Sequence, residues 1–159
     1  MVSASVVLPY GHALLCDGLV ASYRWLGQLH VAALAEFDIP GYALAPEDLA
    51  LANAAIDVRK VKWACFGSLS PWEVVDADYR KMVGLAQRRQ RSGVLLVAGT
   101  LVGATDWRLL CDVMGHPDDE AVLLRRTVSC EQLTGGTIEP AKYACVVTRL
   151  VNKALASNA

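Results

Sequence analysis

The sequence predicts an α+β fold, a largely antiparallel β-sheet flanked by helices. Three observations predict it. Residues 61–102 are a succession of apolar runs broken by Gly, Pro, Asp and Ser, the punctuation of a β-meander. Residues 19–37 and the C-terminal stretch carry apolar side chains every three or four positions, the period of a helix. The 159 residues are 54% hydrophobic and 19% charged, which excludes disorder and suffices for one core without covalent staples. A single domain over 1–159 is expected, with 105–159 as its helical C-terminal part.

The elements follow in order. Residues 2–8 are β-rich and stop at Pro9, so they read as a strand, which is useful only with a neighbour to pair with. Residues 11–18 form a loop. Over 19–37, Leu19, Tyr23, Leu26, His30, Ala33 and Phe37 fall on one helical face, with Asp17 placed to cap it. His30 on that face reads as a core histidine. Residues 39–57 are mixed, with room for a short strand and a helical turn.

Four strands are expected next: 61–67, 72–76, 79–89 and 94–102. Turns at 68–71, 76–78 and 90–93 separate them. Thr105 is positioned to cap a helix through Met114. Turns of helix follow near 118–124 and 129–133, then the Gly135-Gly136 break. Thr137, with Pro140 in the first turn, opens a last helix to about Leu155, with Tyr143, Val146, Val147, Leu150 and Val151 as its buried stripe.

Composition excludes several function classes. Fifteen basic and 16 acidic residues give a net charge of −1, so no nucleic-acid surface is implied. The cluster Arg88, Arg89 and Arg91 is either a solvated strand face or an anion contact. The five cysteines contain no C-x-x-C pair, which argues against a disulfide framework and against a zinc site. Cys16, Cys111 and Cys145 sit among apolar residues and read as buried hydrophobes. No targeting segment or membrane-length apolar run stands out, so the reading is cytoplasmic, with no membrane and no metal.

The chemistry concentrates in residues 65–100. In a plain strand, Lys81 and Val83 share one face and Met82 and Gly84 the other. A lysine among apolar neighbours needs an anion or a polarisable carbonyl. It either stabilises charge developing on an acyl group or phosphate, or guards a strand edge. Gly84 inside a strand marks a close approach.

The run Arg80-Lys81-Met82, Gly84, Ala86-Gln87 and Arg89, then Val94-Leu95 and Gly99-Thr100, resembles the signature of lipoate-protein ligases and octanoyltransferases. Cys65-Phe66 with Ser70, Trp72 and Glu73 resembles the cysteine element of the octanoyltransferases that work through an acyl-thioester. Residues 22–27 resemble the first helix after the ligand loop.

The resemblance implies a biotin/lipoate-ligase-like catalytic domain and the attachment of a lipoyl or octanoyl group to a lysine of a lipoyl domain. It implies Lys81 and Cys65 as catalytic residues: Lys81 orients the acyl carbonyl, and Cys65 is either a covalent relay or a small buried hydrophobe. Gly84, Ala86, Gln87, Arg89, Gly99 and Thr100 are then substrate-binding. A ligase would use ATP with magnesium and lipoate; an octanoyltransferase would use no cofactor and an acyl-carrier protein as donor.

Two departures stand out. The family's upstream Arg-Arg-x-x-Gly-Gly-Gly segment is absent, so the domain is expected to be incomplete, with an N-terminal companion subunit supplying the rest or activity lost. Val97-Ala98 stands where many members carry histidine. A non-catalytic subunit and a biotin-attaching relative are the competing readings.

Overall fold

The computed structural model describes residues 1–15, 18–56 and 58–158. Its elements are β1 (Val2–Leu8), α1 (Gly18–Ala21), α2 (Arg24–Ala35), β2 (Tyr42–Ala43), α3 (Leu49–Ile56), β3 (Val74–Val75), β4 (Lys81–Gln90), β5 (Gly93–Thr100), α4 (Trp107–Val113), α5 (Glu120–Arg126), α6 (Cys130–Thr134) and α7 (Pro140–Ala156). The strands form one antiparallel sheet in the order β1-β5-β4-β3-β2. The α+β expectation holds. No helix among the described residues is long and apolar enough to cross a membrane.

The β4–β5 hairpin is the spine of the sheet, and β1 finds its partner in β5. Registers Ser3↔Gly99↔Gly84 and Ser5↔Val97↔Ala86 place these residues on one face. Val6, Leu8, Val94, Leu96 and Ala98 point to the other, where they form the main core with Leu26, Leu29 and Ala33 of α2 and Tyr143 and Val147 of α7. The first face lacks helical cover: toward β1 it is open, with Val7 74% exposed, and at the Gly84–Gly99 end the Phe66 ring lies over it.

Where the chain departs from expectation, the reasons are local. The helix over 19–37 splits into α1 and α2, because the Ser22 hydroxyl donates to the Leu19 carbonyl at 2.7 Å and competes with the helical ladder. Leu19 is consequently exposed. Asp17 and Cys16 lie outside the described residues. Asp106, not Thr105, caps α4, accepting from the Leu109 N–H at 2.9 Å. Glu139 takes the cap position of α7, with Pro140 as its first residue. Cys111 and Cys130 are buried, but Cys145 is exposed on the outer side of α7.

The expected strand over 61–67 does not form. The segment closes on itself: the Gly67 N–H donates to the Ala64 carbonyl at 2.8 Å and the Val61 N–H to the Gly67 carbonyl at 2.9 Å. A Cβ on Gly67 would lie 2.0 Å from the Val61 carbonyl oxygen, so only glycine closes this loop. Its apolar side chains Val61, Ala64 and Phe66 instead join a second core with Leu101, Trp107 and Leu123. The strand expected over 72–76 contracts to β3, because Trp72 sits at φ +66 and breaks the extended run.

Candidate functional site

Lys81 opens β4 at a β-bulge. Val83 pairs with Val74 but Lys81 pairs with Val75, leaving Met82 as the extra residue. The bulge overturns the expected alternation: Met82 and Val83 both enter the main core, while Lys81 shares the open side with Gly84. A Cβ on Gly84 would stand 3.2 Å from Lys81 Cε, so this glycine makes room for the lysine side chain.

The Lys81 side chain is 1% exposed, and its ammonium finds the anion its burial demands. Nζ donates to the carbonyl oxygens of Cys65 and Ser68, each at 2.8 Å, and lies 2.6 Å from Glu73 Oε1. These three acceptors use all three hydrogens of the ammonium. Glu73 is as fully engaged: Oε1 also accepts from the Leu85 N–H at 3.2 Å and Oε2 from the Ser70 N–H at 2.7 Å. Burial pushes the Lys81 pKa down and the Glu73 pKa up. Their mutual attraction opposes both shifts. The Phe66 ring lies 5.3 Å from Lys81 Nζ, a cation–π contact that closes the cluster.

The Cys65 side is open. Its thiol belongs to an exposed residue, on a loop whose backbone is tied to Lys81. Beside it lies an apolar pocket of about 360 Å³ walled by Trp63, Phe66, Leu101, Trp107, Leu110 and Met114. Two walls are pinned by polar bonds at their far ends. Trp63 Nε1 donates to Asp119 Oδ2 at 2.7 Å while its ring stacks on His116, and Trp107 Nε1 donates to Thr127 Oγ1 at 3.0 Å. The indole hydrogen bond, with help from Arg59, holds the Asp119 carboxyl below the usual carboxylate range.

The other residues singled out from the sequence divide between the two faces. Gly84, Ala86 and Gly99 lie on the open face with Lys81. Gln87, Arg89 and Thr100 point toward the helices. Gln87 Nε2 donates to the Leu19 carbonyl at 2.8 Å, and Arg89 Nη2 to the Gly18 carbonyl at 3.3 Å and Ser22 Oγ at 3.2 Å, so this pair ties α1 to β4. Thr100 Oγ1 lies 3.3 Å from both His30 Nδ1 and Tyr143 Oη, in a buried knot joining β5, α2 and α7.

Sequence reasoning missed the pocket, because Trp107, Leu110 and Met114 come from a helix some forty residues beyond Cys65. It named Glu73 only as part of a motif. The signal was present: a buried lysine calls for a carboxylate, and Glu73, unlike the nearer Asp76 and Asp78 of the turn, is flanked by the apolar Trp72, Val74 and Val75.

No family model matches the chain, and no curated protein matches it by sequence. Solved structures do. A crystal structure of biotin protein ligase from Aquifex aeolicus aligns with 98% of this chain and 52% of its own, at a TM-score of 0.62 and 15% identity. An apo structure of biotin protein ligase from Aquifex aeolicus aligns over the same shares, at 0.61 and 14%. The chain thus spans about half the length of these structures, and over that half its antiparallel sheet and flanking helices have the biotin protein ligase-like fold.

Proposed function

We propose that the chain attaches a lipoyl or octanoyl group to the lysine of a lipoyl domain, by way of a thioester on Cys65. The observation that carries this reading is the exposed Cys65 thiol at an apolar pocket. The acyl chain enters the pocket, where each buried methylene contributes about 0.8 kcal/mol. The Cys65 thiolate attacks the donor thioester, forming Cys65–S–CO–R and releasing the donor thiol. The ε-amine of the acceptor lysine then attacks the enzyme thioester. An amide forms, the C–S bond breaks, and the Cys65 thiol is restored. The donor is an acyl-carrier protein.

A ligase using ATP, magnesium and lipoate is the second reading, favoured by the two structural neighbours being named biotin protein ligases. It requires the Lys81–Glu73 pair to part, because each is committed to the other and neither is free for a phosphate or its cation. A companion polypeptide is part of this proposal, and the open sheet face, where Val7 is 74% exposed, is the surface it would cover.

Intact-mass spectrometry tests both readings. The chain is mixed with octanoyl-carrier protein, or with lipoate, ATP and magnesium, each with a lipoyl domain. A mass adduct on the chain that vanishes in Cys65→Ser establishes the thioester route. Acceptor modification that needs ATP and survives Cys65→Ser establishes the ligase.

A further inference from the structure

We propose that Glu73 and Lys81 are positioning residues, with the Glu73 carboxylate as the counter-ion that holds the Lys81 ammonium against the Cys65 and Ser68 carbonyls and so sets the loop presenting the Cys65 thiol. The relevance to acyl loading rests on the thioester reading above; the positioning itself rests on geometry alone. Every hydrogen of the ammonium is spent within the protein, two of them on the backbone of the cysteine loop. A lysine poised for a substrate carbonyl would keep a donor free; this one ties 65–68 to the start of β4.

Glu73 is built into place from several sides. Its two oxygens take the Ser70 and Leu85 amides as well as Lys81. Trp72 beside it holds φ +66, a left-handed conformation that a bulky residue adopts only when its surroundings enforce it. Here the Trp72 N–H donates to the Leu44 carbonyl at 2.6 Å, and its own carbonyl oxygen sits where a Cβ on Gly27 would come within 2.1 Å. Glycine in α2 therefore admits the Trp72 backbone, and that turn aims Glu73 at Lys81.

Burial acts most strongly against the Lys81 charge; Glu73, just before β3, and Cys65 on the loop favour it, and Arg126 at the end of α5 opposes it. Replacing Glu73 by glutamine removes the main attraction and leaves burial and Arg126 in place. Lys81 then gives up its proton at a lower pH than in the native protein, and the two hydrogen bonds a neutral amine still donates to the carbonyls lack the charge assistance of an ammonium. The positioning role therefore has a pH signature that loss of packing lacks.

The test uses the full chain and Glu73→Gln. Amide hydrogen exchange is read, normalised to intrinsic rates, across neutral to mildly alkaline pH, together with the kinetics of Cys65 loading from octanoyl-carrier protein. The expected result is loss of protection at Val61 and Gly67 by about tenfold or more, the scale of a lost charge-assisted hydrogen bond. The loss deepens as pH rises and recovers toward acid, while the β1–β5 amides hold. Loading then falls in kcat with KM little changed. A deficit independent of pH, or one spread through the sheet, overturns the proposal. Gly84→Ala is the second variant, since it crowds Lys81 Cε without altering a charge. It is expected to loosen the same amides with no pH dependence, and unchanged Gly67 protection in it overturns the proposal even if Glu73→Gln does not fold. Should the native chain load no acyl group on Cys65, the thioester reading fails, and the exchange data still decide the positioning role.

Discussion

Gly84 and Gly99 stand directly opposite each other in the β4–β5 ladder, and the Phe66 ring covers both. Phe66 Cζ would lie 3.5 Å from a Cβ on Gly84 and 3.9 Å from one on Gly99. The missing side chains create the floor on which the cysteine loop rests. Gly84→Ala is the tighter of the two changes because it also crowds Lys81. Overpacking of this kind costs about 1–2 kcal/mol, a fall in Tm of roughly 2–8 °C. Thermal unfolding checks it.

Breaking the buried pair by one partner leaves the other charge stranded. Lys81→Met is expected to destabilise the fold by about 3–5 kcal/mol, and Lys81→Met with Glu73→Leu by much less. Denaturant titrations of the two single variants and the double variant form the cycle that measures this. In Lys81→Met the attraction of the lysine is gone, and burial pushes the Glu73 carboxyl further up against the opposing Leu85 and Ser70 amides. A carboxyl with a raised folded pKa binds more protons folded than unfolded, so this variant is more stable in acid and loses stability as pH rises through that pKa.

His30 provides a second pH dependence. Burial holds its imidazole down at about 4, and Nε2 has no hydrogen-bond partner among the described residues. The folded state therefore favours the neutral ring. This contribution is fully present above the ordinary histidine pKa and is lost as pH falls toward the folded value. Between mildly alkaline conditions and pH ~5 the loss amounts to roughly 2 kcal/mol. Urea unfolding of the native chain and of His30→Phe at the two pH values isolates it: the slope attributable to His30 disappears in the variant.

Pocket volume sets chain length in the thioester reading. Leu110 lines the pocket yet is 38% exposed, so Leu110→Trp fills space at a stability cost of about 0.5 kcal/mol or less. Each methylene excluded from the pocket weakens binding about fourfold. The variant is expected to shift the preferred acyl donor to a shorter chain, read by comparing loading rates over a series of acyl thioesters. An unchanged preference would place the chain elsewhere.

Much of the architecture was legible because it rests on short-range pattern. The strand at 2–8, the β4–β5 hairpin, the stripe on α7 and the αL glycine at Gly135 are all marked by period or by turn residues. The cysteine loop was not, because a mostly apolar segment of seven residues reads the same whether it pairs as a strand or folds back under a glycine. The alternation around Lys81 failed at the bulge, since a single extra residue inverts every later face assignment.

The sequence by itself determined the fold class, the hairpin that carries the site, and the need of a buried lysine for an anion. Those follow from periodicity and from the cost of burying charge, which act residue by residue. Only the tertiary structure decided that Glu73 meets that need, that Gln87, Arg89 and Thr100 turn toward the helices while Gly84, Ala86 and Gly99 face the open side, and that residues from α4 complete a pocket beside Cys65. These depend on the bulge and on contacts between segments tens of residues apart, where chain packing sets distance and no local pattern records it.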